Sequence, residues 1–161
     1  MMTDQSIPLD IIPGAPLTIT VYSGDGNRFA RLFKEAWAQL PAPVQEKIRK
    51  HWAKEDVRLE LSNIWKNCAI HDGEVGCFGR EAKFNAAEVD RMPDTVAKAL
   101  IAHEMAHVYQ HATGFSQRTY EVSSQREYEV LESDAKELAS RWNFDWVASM
   151  QWKAKRELGM L

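Results

Sequence analysis

Residues 101–111 read Ile101-Ala102-His103-Glu104-Met105-Ala106-His107-Val108-Tyr109-Gln110-His111, and the fold is best approached outward from this stretch. Pro93 suits the first turn of a helix, acidic Asp94 follows it, and Gly114 is a natural stop, so the stretch lies inside a helix running from 93 to about 113. Residues four apart on a helix stand one above the other, so His103 and His107 can offer both imidazoles to one ion. Val96, Leu100, Ala106 and Val108 make the surroundings apolar and place the two rings beside a core rather than on a wet face. Glu104 lies about 100° round the helix from His103. That offset carries its carboxylate to a metal-bound water instead of to the metal. His-Glu-x-x-His at this spacing is a zinc-binding pattern with the glutamate as general base.

A catalytic zinc commonly takes three protein ligands and leaves the fourth position to water. A His-x-x-Gly-x-x-His continuation is absent, because Gln110 stands at the glycine position and Thr113 at that of the third histidine. His111 shares the face of His103, but the two lie about 12 Å apart along the axis of a straight helix and cannot meet on one ion. A loop over 115–121 leads to a long helix ending near Trp142. Its apolar stripe is Tyr128, Leu131, Ala135, Leu138, Ala139 and Trp142. Glu132 falls about 60° from the middle of that stripe, Asp134 about 100° to the other side and Glu129 about 120° away, with Glu137 nearly opposite. An inward-facing carboxylate is costly unless it is paired or metal-bound. Glu132 is therefore the expected third ligand and Glu129 the next candidate. Ala135 and Ala139 are small enough to let this helix approach another closely.

His103-Glu104-Met105-Ala106-His107, followed by Glu132-Ser133-Asp134-Ala135-Lys136-Glu137-Leu138-Ala139, resembles the gluzincin pattern of HExxH plus a later E-x-x-A-x-x-x-A helix. Within that group it is similar to ImmA/IrrE-type metallopeptidases and to minimal gluzincin domains, and His111 extends the likeness to HExxHxxxH. Phe84-Asn85-Ala86 resembles the edge strand that such folds place over the cleft. The likeness covers roughly residues 75–142. It implies an α+β, zincin-like domain, with a small, mostly antiparallel sheet packed on the HExxH helix and on the long helix carrying the third ligand. It departs at Lys136, where related helices often carry Asp or Asn, and in lacking the helix-turn-helix segment that often accompanies the type.

The remaining chain fits one domain over 1–161, long enough to bury a core. With 27% charged residues and a net charge of -3, composition makes no case for nucleic acid or an anionic membrane. No run approaches 18 apolar residues and the N-terminus lacks a basic signal region, so a cytoplasmic location is expected. Residues 1–16 read as an extended lead-in and Leu17–Tyr22 as a strand, with Asn27 a candidate cap for a helix over 28–40. A second helix covers 44–54. Val57, Leu59 and Leu61 alternate in a strand to about Trp65, and a further strand over 75–84 would pair with it through Asp72-Gly73. Residues 85–92 read as a loop and 145–158 as a last amphipathic segment. Cys68, His71 and Cys77 lie close together but fit no common zinc finger; buried thiols, a hairpin disulfide and a metal-blocking cysteine are the readings they allow.

The expected chemistry is peptide-bond hydrolysis of a peptide or protein substrate. Zn2+ lowers the pKa of its water towards about 7, and Glu104 takes that proton and returns it to the leaving amine. Tyr120, Arg126, Tyr128 and His111 are candidate donors to the oxyanion, and the substrate would lie along the edge strand. Two rival readings are a regulatory protein of the same fold that binds a protein partner with little or no proteolysis, and a helical domain with an accidental motif.

Overall fold

Period-two alternation seals one face of a sheet: Ile19, Val21, Leu59 and Leu61 are buried while Thr18, Thr20, Arg58 and Glu60 are not. The computed structural model describes residues 4–14, 16–54, 56–64, 69–71, 80–114 and 125–161. Its elements are β1 (Gln5–Pro8), β2 (Thr18–Val21), α1 (Gly26–Gln39), α2 (Ala42–Trp52), β3 (Arg58–Ser62), β4 (Ala69–His71), β5 (Glu81–Asn85), α3 (Ala86–Arg91), α4 (Asp94–Ala112), α5 (Gln125–Arg141) and α6 (Trp146–Glu157). The arrangement is α+β, as expected. Cys68, Cys77, Tyr120 and the Asp72-Gly73 connection lie outside the described residues.

The sheet corrects the expectation of a mostly antiparallel one. Its order is β1-β2-β3-β5-β4. The outer pairings, β1 with β2 and β4 with β5, are antiparallel, but β3 runs parallel to both β2 and β5. The expected pairing of the third strand with the one ending at Phe84 does form, with Leu61 opposite Phe84, yet it is no hairpin. Parallel neighbours need a connection of a dozen or more residues. Residues 63–80 supply one, and β4 is laid on the outer side of β5 along the way. Phe84 and Asn85 consequently sit inside the sheet, and β4 is the edge on that side.

Three local readings also change. The N-terminal lead-in is extended but is a true strand, β1, with Leu9 and Ile12 buried behind it. Asp25, not Asn27, caps α1, accepting from the Arg28 amide at 3.0 Å. The expected loop after Phe84 holds α3, started by the Asn85 side chain accepting from the Glu88 amide at 2.8 Å.

The helix carrying the His-Glu-x-x-His stretch, α4, is the pillar of the molecule. Helices α1, α2, α5 and α6 and strand β4 all pack on it. Its apolar residues run right round it, from Val96 and Ala97 through Ile101, Ala102, Met105, Ala106 and Val108, which is how a fully enclosed helix reads. Fully buried Ala99, Ala102 and Ala106 on α4, and Ala135 and Ala139 on α5, leave room for close helix contact. On the sheet side, the Phe29 ring of α1 meets the Phe84 ring of β5 with centroids 4.9 Å apart. Burying each such side chain contributes about 1.5–3 kcal/mol. Arg28 steadies the start of α4, donating to the Val89 and Met92 carbonyls and pairing with Asp94 at 2.9 Å. Among the described residues no helix is long and apolar enough to cross a membrane.

Candidate metal centre

The packing of α5 on α4 brings together the three residues expected to bind metal. His103 and Glu104 are almost fully buried, and His107 follows one turn on with its side chain 15% exposed. Glu132 reaches across from α5. Its Oε2 lies 3.1 Å from His103 Nε2 and its Oε1 lies 2.9 Å from His107 Nε2. The two imidazoles stand edge to face, centroids 4.8 Å apart. One carboxylate thus faces both rings, and the three ligand atoms lie within 4.8 Å of one another.

This donor set suits a metal such as zinc. Two neutral imidazole nitrogens and one carboxylate oxygen make a usual three-ligand set, and bonds of about 2.0–2.1 Å in a tetrahedron put ligand atoms about 3.3 Å apart. The present spacings of 2.9 and 3.1 Å need widening by only a few tenths of an ångström. The group could hold a metal ion.

The electrostatics point the same way. Burial alone would lower the pKa of His107. The hydrogen bond that the ring donates to Glu132 and the negative charges of Glu104 and Glu132 outweigh that and raise it to about 9. Burial pushes the Glu132 carboxyl up, but its hydrogen bonds and attraction to the two histidines hold it well below the usual carboxylate range. The pocket therefore favours positive charge between these side chains.

Each ring is oriented by a different device. His103 stacks on Trp146 of α6, centroids 4.7 Å apart and planes 23° from parallel. Its Nδ1 is buried with no hydrogen-bond partner among the described residues, so packing sets this ring. His107 Nδ1 lies 2.9 Å from Gln110 Oε1. Gln110 Nε2 in turn donates to the Leu131 carbonyl at 2.8 Å and to Asp134 Oδ2 at 3.0 Å. Neither Gln110 nor Trp146 was singled out by the sequence as serving the metal. The available signal was position: Gln110 is three residues past His107, on the same helix face.

Of the four candidate oxyanion donors, Tyr128 stands one turn before Glu132 on α5. The charge of Glu132, then burial, then the charge of Glu104 raise its pKa, which places its phenol within electrostatic reach of both acids. Arg126 and Glu129 lie on the exposed side of α5, so Glu129 is not drawn into the ligand cluster. His111 is half-buried near the end of α4 and outside that cluster. Polar contacts behind His107 come from Gln110, itself bonded to Asp134. No protein-family model matches this chain, and no curated protein or solved structure matches it.

Proposed function

We propose that the chain is a zinc-dependent metallopeptidase of gluzincin type, with a zincin-like arrangement of its sheet and helices, in which His103, His107 and Glu132 hold the metal and Glu104 is the general base. The observation that carries this reading is the convergence of two Nε2 atoms from one helix on the two oxygens of a single carboxylate from the next. Structural ion pairs seldom bury two histidines and share one acid between them. The neighbouring Glu104, whose charge is felt at His107, is the residue a hydrolase of this kind needs as its general base.

Bound at this site, zinc would polarise a scissile carbonyl and make water nucleophilic near neutral pH. The protein supplies the rest. Glu104, 3% exposed, is held in a low-dielectric wall where its charge is felt at both His107 and Tyr128. It takes a proton from the attacking water and delivers it to the departing amine. Tyr128, whose phenol feels the charges of Glu132 and Glu104, would donate a hydrogen bond to the oxygen on which charge develops. The substrate backbone would add to the outer edge of β4, which packs beside α4.

The test is cleavage of a mixed peptide library, with and without chelator, by the native protein and by Glu104→Gln. The expected result is chelator-sensitive cleavage that falls by about 100- to 10,000-fold in the variant while zinc stays bound. Undiminished cleavage by Glu104→Gln removes Glu104 from the role. A zinc-bound protein that cleaves nothing favours the regulatory, partner-binding reading.

A further inference from the structure

The amide of Gln110 can face only one way. Leu131 offers a carbonyl oxygen and Asp134 a carboxylate, both acceptors, at 2.8 and 3.0 Å from the same end of the side chain. That end must be the NH2 group, because the reverse assignment would set three oxygens against one another. The amide oxygen is then the atom 2.9 Å from His107 Nδ1, so the hydrogen in that contact belongs to the ring. A neutral imidazole with its hydrogen on Nδ1 carries its lone pair on Nε2. Nε2 is the atom aimed at Glu132.

The same side chain also ties the two helices together. Leu131 and Asp134 bracket Glu132 on α5, and Gln110 is only 1% exposed, fully enclosed between α4 and α5. A small turn or slide of α5 that withdrew Glu132 from the rings would break both of the amide's donated bonds.

We propose that Gln110 is the positioning residue of this centre, imposing the metal-binding tautomer on His107 and holding the Glu132 turn of α5 in register through Leu131 and Asp134. The proposal rests on the zinc reading given above. Gln110 touches neither metal nor substrate; it acts through His107 and Glu132. Such outer partners fix the tautomer and orientation of a ligating histidine, and their loss typically weakens metal binding by about 10- to 100-fold.

The test measures zinc affinity by competition with a chromophoric chelator for the native protein, for Gln110→Leu, for Gln110→Glu, and for the double variant that combines Gln110→Glu with Asp134→Asn. The 15N shifts of the His107 ring are recorded in each zinc-loaded form and, above pH 9, in each metal-free form. Gln110→Leu, which keeps the bulk and loses every polar contact, should bind zinc about 10- to 100-fold more weakly. Gln110→Glu keeps the acceptor for His107 but sets a carboxylate against Asp134, so its affinity should be intermediate. The double variant exchanges the two roles, with an amide donor now on α5 and a carboxylate acceptor on α4, and should recover part of the loss, the Leu131 carbonyl remaining without its donor. A merely structural role would not produce that recovery, nor a neutral, metal-free His107 ring that keeps its hydrogen on Nδ1 wherever residue 110 offers an acceptor and loses that preference in Gln110→Leu. Native-like affinity in Gln110→Leu, or a zinc-loaded native ring with its hydrogen on Nε2, overturns the proposal while leaving the zinc centre intact. A native protein that binds no zinc overturns both. If Gln110→Leu does not fold, the contrast between Gln110→Glu and its rescue decides, and no recovery counts against the role.

Discussion

If zinc binds as proposed, it competes with a proton for His107, and raising the pH should expose the competition. In the metal-free fold this imidazole titrates near 9, against an ordinary value of 6.5, because Glu132 and Glu104 outweigh its burial. At pH 7 the ring is then about 99% protonated, and binding zinc must expel that proton. Apparent zinc affinity should therefore climb nearly tenfold from pH 7 to 8, about 50-fold from pH 7 to 9, and level off above at about 100-fold. The stability of the metal-free protein moves oppositely. A group whose folded pKa is raised stabilises fully below its unfolded pKa, here 6.5, and loses that contribution as pH rises through about 9. At pH 7 the contribution is on the order of 2–3 kcal/mol. Glu132, held below its ordinary 4.5, adds stability that is present above that value and lost as pH falls through the depressed one. Two measurements follow: chelator-competition affinities from pH 6 to 10, and protons released per zinc in weakly buffered solution at pH 7. About one proton or more should appear. An affinity that stays flat from pH 7 to 9, with no proton released, would refute the placement of Glu132 against these rings.

Tyr128→Phe should leave zinc affinity unchanged and cut turnover by about 100- to 1,000-fold if its hydroxyl supports the developing oxyanion, as steady-state kinetics on a cleaved peptide would show; an undiminished turnover number assigns that task elsewhere. Ala135→Leu should overfill the α4–α5 contact, costing about 1–3 kcal/mol in urea unfolding and weakening zinc binding by moving Glu132 away. A variant as stable as the native chain would mean that this contact is looser than full burial of Ala135 indicates.

The ligand set was legible because each of its parts is a local pattern. His103, Glu104 and His107 are defined by spacing within one helix, and Glu132 by its angle to the apolar stripe of the next, so neither required knowledge of the sheet. Strand order was not legible, because alternation marks a strand as half-buried without saying which way its neighbour runs. The separation of Ser62 from Glu81 was nonetheless a warning, since it is far too long for a tight hairpin and long enough for a parallel crossover. Helix α3 was also readable from Asn85 followed three residues later by Glu88, a helix-start signature. The stacking of Trp146 on His103 joins α6 to α4 between residues far apart in the chain, and no periodicity reports such a contact. Gln110 stands where a histidine-glycine continuation would have its glycine, and only the neighbouring helix reveals the acceptors that its amide meets.

The most direct test is X-ray absorption at the zinc edge on protein purified without added metal and then loaded with one equivalent. The account predicts one zinc per chain, with two imidazole nitrogens and oxygen at about 2.0–2.2 Å, and with the nitrogen signal degraded in both His103→Ala and His107→Ala. Sulfur scatterers at about 2.3 Å would place the metal on cysteine instead, and a chain that retains no zinc would leave the His-His-Glu cluster an ordinary buried ion pair.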